Sequence, residues 1–137
     1  MVQDESEIQS VVEKLIQNWN THDPSCFAAS FAEDAQFTDV LGQTVQGRGE
    51  IARLHVVPFT RLFVAAELAV EQAPVKFVTG EVASVNLHWS MQGHTSVQGE
   101  PLPPRRGVMQ LVVVRRDGRW WPVVAHNSDH TATYTRS

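Results

Sequence analysis

The segments Gly107-Val108-Met109-Gln110-Leu111-Val112-Val113-Val114 and Trp120-Trp121-Pro122-Val123-Val124-Ala125 place apolar side chains at almost every position, and Asp117-Gly118 lies between them. Runs this short, rich in β-branched and aromatic residues, favour extended chain, and Asp-Gly readily adopts the positive φ angles of a tight hairpin turn. The pair therefore reads as a hairpin. Successive side chains of a strand point to opposite faces, so both faces of this hairpin require cover. Helices can cover one face. The simplest cover for the other is a second copy of the chain, so a homodimer is expected.

The helices precede the sheet. Ile8, Val11, Val12, Leu15, Ile16 and Trp19 recur at intervals of three and four and predict a helix from about Asp4 to Thr21. It should stop near His22, because Asp23-Pro24 supplies an N-cap and a first-turn proline for a shorter helix carrying Phe27 and Phe31. A short strand around Gln36 to Asp39, a turn at Leu41-Gly42-Gln43 and an extended piece through Val45 come next. Gly47 and Gly49 lead into a third helix with Ile51, Leu54, Phe59, Leu62 and Phe63 on its apolar face and a kink at Pro58.

From Glu67 the period becomes that of strands, with segments near 67–79, 81–92, 106–116 and 119–128. Val85, Leu87, Trp89 and Met91 alternate with Ser84, Asn86, His88 and Ser90, giving one buried and one wetter face. His94 to Arg105, with its glycine and prolines, reads as a long connecting loop. Residues 131–137 lack apolar pattern and are expected to fray. A single domain spanning 1–137 accommodates all of this, at a length where folding buries roughly two-thirds of the chain's surface.

Composition narrows the class. With 42% apolar and 19% charged residues the chain is not a disordered tail, and no apolar run approaches the ~20 residues of a membrane span. The opening MVQDESEIQS is acidic and helical in pattern, without the basic and apolar regions of a secretory signal, so a cytoplasmic location is expected. A net charge of −4 with no basic stripe argues against nucleic acid as a partner. The pairs Arg105/Arg106 and Arg115/Arg116 read as solvated strand ends. Cys26, the lone cysteine, excludes an internal disulfide and reads as a small buried hydrophobe. No histidines, aspartates or glutamates show metal-ligand spacing, and no phosphate loop or nucleophile elbow is present, so neither metal nor cofactor is expected.

The order helix, helix, short strand, helix and antiparallel strands resembles the nuclear transport factor 2-like superfamily, which includes ketosteroid isomerases, scytalone dehydratase and polyketide cyclases. The sharper resemblance lies in Phe31-Ala32-Glu33-Asp34-Ala35-Gln36-Phe37-Thr38-Asp39-Val40-Leu41-Gly42, followed by Gly47-Arg48-Gly49-Glu50-Ile51. It extends through Trp19-Asn20-Thr21-His22-Asp23 and Arg116-Asp117-Gly118-Arg119-Trp120. In detail the chain is most similar to small SnoaL-like, SgcJ/EcaC-type proteins. The resemblance implies an α+β cone: three N-terminal helices in the concave face of a curved, mainly antiparallel sheet, around a pocket for a small hydrophobic ligand.

The resemblance also assigns candidate site residues. Asp39 falls where ketosteroid isomerases carry the carboxylate that removes a proton beside a carbonyl, while a tyrosine and a protonated aspartic acid hold the enolate. Ungapped matching puts Leu15 at the tyrosine position and Gln110 near the acid position. Gln110 could donate a hydrogen bond to a substrate oxygen, though a neutral amide stabilises an enolate less well. Asp39 could equally serve only to bond the turn at Leu41 to Gln43. His55, one turn from Ile51 and Phe59, points inward as an acid or base beside Asp39, or as a structural group. Register with the isomerases turns Asn127 toward the pocket and His126 outward, and both are kept as ligand-binding candidates. Trp19, Phe59, Phe63, Trp89 and Trp121 line a cavity or simply fill a core.

Two functions are consistent with these residues. One is a cofactor-independent isomerase, cyclase or dehydratase, with Asp39 as base and Gln110, Asn127 or His55 holding the oxygen. The other is a ligand-binding or dimerisation module without a reaction.

Overall fold

The N-terminal stripe folds as its period requires. In the computed structural model, which describes residues 2–130, α1 spans Val2–Trp19 and buries Ile8, Val12, Leu15, Ile16 and Trp19. The expected frayed tail at 131–137 lies outside the described residues. After α1 the chain reverses through His22, whose φ of 57° lies in the left-handed region. Asp23 then caps α2, Pro24–Ala28, its Oδ1 accepting from the backbone N–H groups of Ser25 and Cys26 at 3.0 and 3.2 Å. Phe27 lies on α2, and Phe31 falls just beyond it, with both rings fully buried. Cys26 is half-buried, so it is not the enclosed hydrophobe expected.

The third helix is shorter than its apolar pattern. α3 spans Arg48–Leu54 and gives way at His55, where φ is −100° and ψ is 0°; a π-helical turn follows at Pro58–Leu62. Proline has no N–H to donate to the Leu54 carbonyl, so the α-helical ladder is interrupted there. It resumes in wider form, with the Phe63 N–H donating to the Pro58 carbonyl at 2.8 Å. The expected kink is thus a change of helix type.

The strands are β1 (Gln36–Thr38), β2 (Thr44–Gln46), β3 (Glu67–Gln72), β4 (Val75–Thr79), β5 (Val82–Gln92), β6 (Arg105–Arg116) and β7 (Arg119–Asp129). The segment expected as one strand from 67 to 79 is two, broken at Ala73-Pro74. The sheet runs β2-β1-β7-β6-β5-β3, with β4 also on β5. All pairings are antiparallel except β1 on β7, which sets Thr38 beside His126 and Phe37 beside Ala125 in parallel. The helices pack on one face of this curved, unclosed sheet, giving the α+β cone. Asn20 ties the end of α1 to the sheet: its amide donates to the Leu68 carbonyl at 3.0 Å and accepts from the Leu68 N–H at 2.8 Å.

On the outer face of the sheet Val112 and Val114 are partly exposed, and Val124 is 36% exposed. Trp121, also on this face, lies under the guanidinium groups of Arg119 and Arg48. The paired arginines at the strand ends are not simply solvated. Arg105 pairs with Asp129, Arg106 with Glu71 at 3.2 Å, Arg115 with Asp4 at 3.7 Å and Arg116 with Asp34 at 3.1 Å.

Candidate functional site

A cavity of about 280 Å³ lies between the helices and the open end of the sheet. Its apolar wall is built by Trp19 from α1, Phe27 from α2, Leu54 from α3, Leu62 and Phe63 from the π-turn region, and Leu68, Trp89, Met91 and Met109 from the sheet. Its polar groups are few: Asp39, His55, Arg105, Asn127 and Asp129. An apolar chamber with a small number of placed polar groups is the usual form of a small-molecule site.

Asp39 extends β1 by one residue. Since β1 and β7 run parallel with Thr38 beside His126, Asp39 stands on the same face as Asn127 of the neighbouring strand. Asp39 also organises the turn that follows it: its Oδ1 accepts from the N–H groups of Leu41 and Gln43, both at 2.9 Å. The turn-bonding reading of this residue therefore accounts for one oxygen, while Oδ2 lies outside those bonds.

His55 is buried among the rings of Phe27, Phe37 and Phe59, with centroids at 4.6, 5.0 and 5.3 Å. Its Nδ1 lies 2.7 Å from the Ile51 carbonyl oxygen. A carbonyl only accepts, so Nδ1 carries the proton. Burial lowers the pKa of the imidazole below its usual 6.5, against the opposing pull of the Ile51 hydrogen bond and the Asp39 charge. In the neutral ring Nε2 then bears a lone pair. It can take up a proton or accept a hydrogen bond from a hydroxyl, but it cannot donate to a carbonyl oxygen, which removes His55 from the groups expected to hold one.

Asn127 faces the cavity, and its Oδ1 accepts from the indole N–H of Trp89 at 2.8 Å. Trp89 can span from β5 to β7 because Gly107 of the intervening β6 has no side chain. A Cβ there would lie 2.2 Å from the Ser128 carbonyl oxygen and 2.2 Å from Trp89 Cζ2.

The remaining candidates separate. Trp19, Phe63 and Trp89 line the cavity, but Phe59 does not. It is 1% exposed and packs edge-on against Trp19 at 5.3 Å, within the core. Gln110 and His126 face away from the cavity. They share an outer-face groove with Asn86, His88, Val108, Ser128 and His130. In β6 the inward positions are Gly107, Met109, Leu111 and Val113, so the expectation for Gln110 was wrong by one residue, which in a strand is the whole width of the sheet. The outward orientation of His126 is the one that register implied.

Sequence reasoning missed the Arg105–Asp129 pair at the cavity wall, which joins a residue placed in a loop to the end of β7. It also missed His94, which lies in that loop yet is only 2% exposed. Burial lowers the pKa of His94 below 6.5, as does the charge of Arg105, with Asp129 opposing. Spacing gave no signal for either; only the closure of β6 on β7 brings these groups together. Among the described residues no group of His, Cys, Asp and Glu is arranged to hold a metal ion, and no helix is long and apolar enough to cross a membrane.

The family model described as the SnoaL-like domain matches residues 12–123. Among curated protein sequences none matches the chain significantly. Among solved structures, a domain of unknown function with a cystatin-like fold from Nostoc punctiforme is 27% identical, with a TM-score of 0.80 over 97% of this chain and 81% of that one. A ketosteroid isomerase-like protein from Erwinia carotovora atroseptica is 14% identical, with a TM-score of 0.76 over 93% of this chain and 96% of its own. A hexachlorocyclohexane dehydrochlorinase, LinA type 2, is 14% identical, with a TM-score of 0.83 over 99% of this chain and 94% of its own. For the last two the likeness is one of fold.

Proposed function

Because the chain belongs to the SnoaL-like domain family, we propose that its interior cavity binds a small, largely apolar carbonyl compound and moves a proton on it without a cofactor. The observation that carries this reading is the placement of Asp39 and Asn127 on adjacent strands, on the face lined by the cavity. Asp39 Oδ2 takes a proton from the carbon next to the carbonyl. The C–H electron pair forms the new C=C bond as the carbonyl oxygen takes up negative charge, and the proton returns to a different carbon or to the same one. Asn127, which lines the same cavity, would hold that oxygen. His55 Nε2 is a second proton acceptor at the same wall.

The dehydrochlorination named for LinA and the isomerase likeness of the Erwinia protein are properties of those proteins, and they support proton transfer here as a reaction type only. The test is solvent deuterium. Purified protein is incubated in D2O with a panel of enones and polyketide-like lactones, and deuterium at the carbon beside the carbonyl is followed by mass spectrometry. Asp39→Asn keeps an oxygen for the turn N–H groups and should fold, but it should abolish incorporation. Full exchange in that variant would refute Asp39 as the base. Binding without exchange in the native chain would favour a ligand-capture module.

Self-association is the second proposal. The outer face carries Val112, Val114 and Val124 without cover from the helices, and a second copy is the cover proposed for it.

A further inference from the structure

The hydrogen bond between Trp89 and Asn127 fixes more than the position of an amide. An asparagine side chain has one accepting and one donating end, and an indole N–H can only donate. With the indole on Oδ1 at 2.8 Å, the end of Asn127 that remains for any other partner is Nδ2, a donor. Neither residue can readily choose otherwise. Trp89 is 3% exposed, and its ring occupies the space a Gly107 side chain would need, so a flipped amide would set two donors against each other inside the fold.

We propose that Trp89 is a positioning residue that makes this part of the cavity selective for a hydrogen-bond acceptor, so that the ligand presents a carbonyl or equivalent acceptor oxygen to Asn127 Nδ2. The inference rests on the reading of the cavity as a small-molecule site and specifies the chemistry it takes. Gly107 belongs to the same device, since any side chain there would displace the indole from its bond.

Three bicyclic probes of similar size test it: 1-indanone, which offers an acceptor; indole, which offers a donor; and indane, which offers neither. Dissociation constants are measured by titration for the native chain, Trp89→Phe and Asn127→Asp. In the native chain 1-indanone should bind about tenfold tighter than indane, the worth of one hydrogen bond. Trp89→Phe keeps an aromatic ring but removes the indole N–H and frees the amide to turn, and the preference should fall several-fold. Asn127→Asp presents an acceptor in place of the donor, and the preference should vanish. Both substituted residues line the cavity, so the preference is read within each protein as the ratio of the indane and 1-indanone constants, in which a change of shape common to both probes cancels.

A preference unchanged in both variants would overturn the proposal. Failure of every probe to bind the native chain would instead overturn the reading of the cavity. The hydrogen bond is tested separately in the ligand-free protein. The Trp89 indole proton should exchange slowly with solvent and at least about tenfold faster in Asn127→Leu. Equal rates would remove the basis of the inference.

Discussion

Replacing Gly107 by alanine adds one methyl group at the most crowded glycine of the sheet. The new Cβ would lie 2.2 Å from the Ser128 carbonyl oxygen and 2.2 Å from Trp89 Cζ2, where contact normally begins beyond 3.4 Å. The first obstacle is backbone of the neighbouring β7 and the second a buried indole, so neither gives way as a flexible side chain would. Overpacking of this kind costs roughly 1–3 kcal/mol, and the lost bond from Trp89 to Asn127 adds about 1 kcal/mol. A total of about 2–4 kcal/mol corresponds to a melting temperature lower by roughly 8–16 °C for a chain of this size. Scanning calorimetry reads the shift, and the same substitution in a Trp89→Leu background separates its parts. There the backbone clash persists while the ring clash is gone, so the cost should shrink by about 1 kcal/mol or more. An unchanged melting temperature in Gly107→Ala, or an identical cost in both backgrounds, would refute the packing of the indole over Gly107.

Asn20→Ala removes both bonds to the Leu68 backbone and should cost about 1–3 kcal/mol in urea unfolding; a cost below about 0.5 kcal/mol would show that water replaces them. His55 and His94 are both held below their usual 6.5, chiefly by burial, so the unfolded chain binds more protons than the folded one just below that pH. Stability is therefore full above about pH 6.5 and is lost as pH falls toward the folded values. The melting temperature should drop as pH falls below about 6.5, with a shallower slope in His55→Phe, and a flat profile in the native chain would contradict the burial. Loss of the Asp34 interaction with Arg116 belongs to a separate window below 3.8. Light scattering should give twice the mass of one chain at micromolar concentration, and a clean monomer would end the proposal of self-association.

The elements that could be read from the chain are those whose signals are local. The stripe of α1, the Asp23-Pro24 start of α2 and the Asp117-Gly118 hairpin each follow from residues within a few positions of one another. The parallel pairing of β1 with β7 does not, because it joins residues far apart in the chain, yet it sets Asp39 beside Asn127. Phe59 was left between cavity wall and core, and it lies in the core, within the π-helical turn that begins at Pro58. Gln110 was displaced by an ungapped match, since a shift of one residue in a strand exchanges the faces. Trp89, Gly107 and Asn127 come from three strands, and no spacing within any one of them announces their contact.

The chain has three methionines, of which Met91 and Met109 line the cavity from the neighbouring strands β5 and β6, so their methyl groups report directly on what enters it. Titration of 13C-methyl-methionine protein with 1-indanone should move the Met91 and Met109 resonances together along one saturable curve. Resonances that stay in place up to the solubility limit of the ketone would contradict the central claim that this interior is a binding site for a small carbonyl compound.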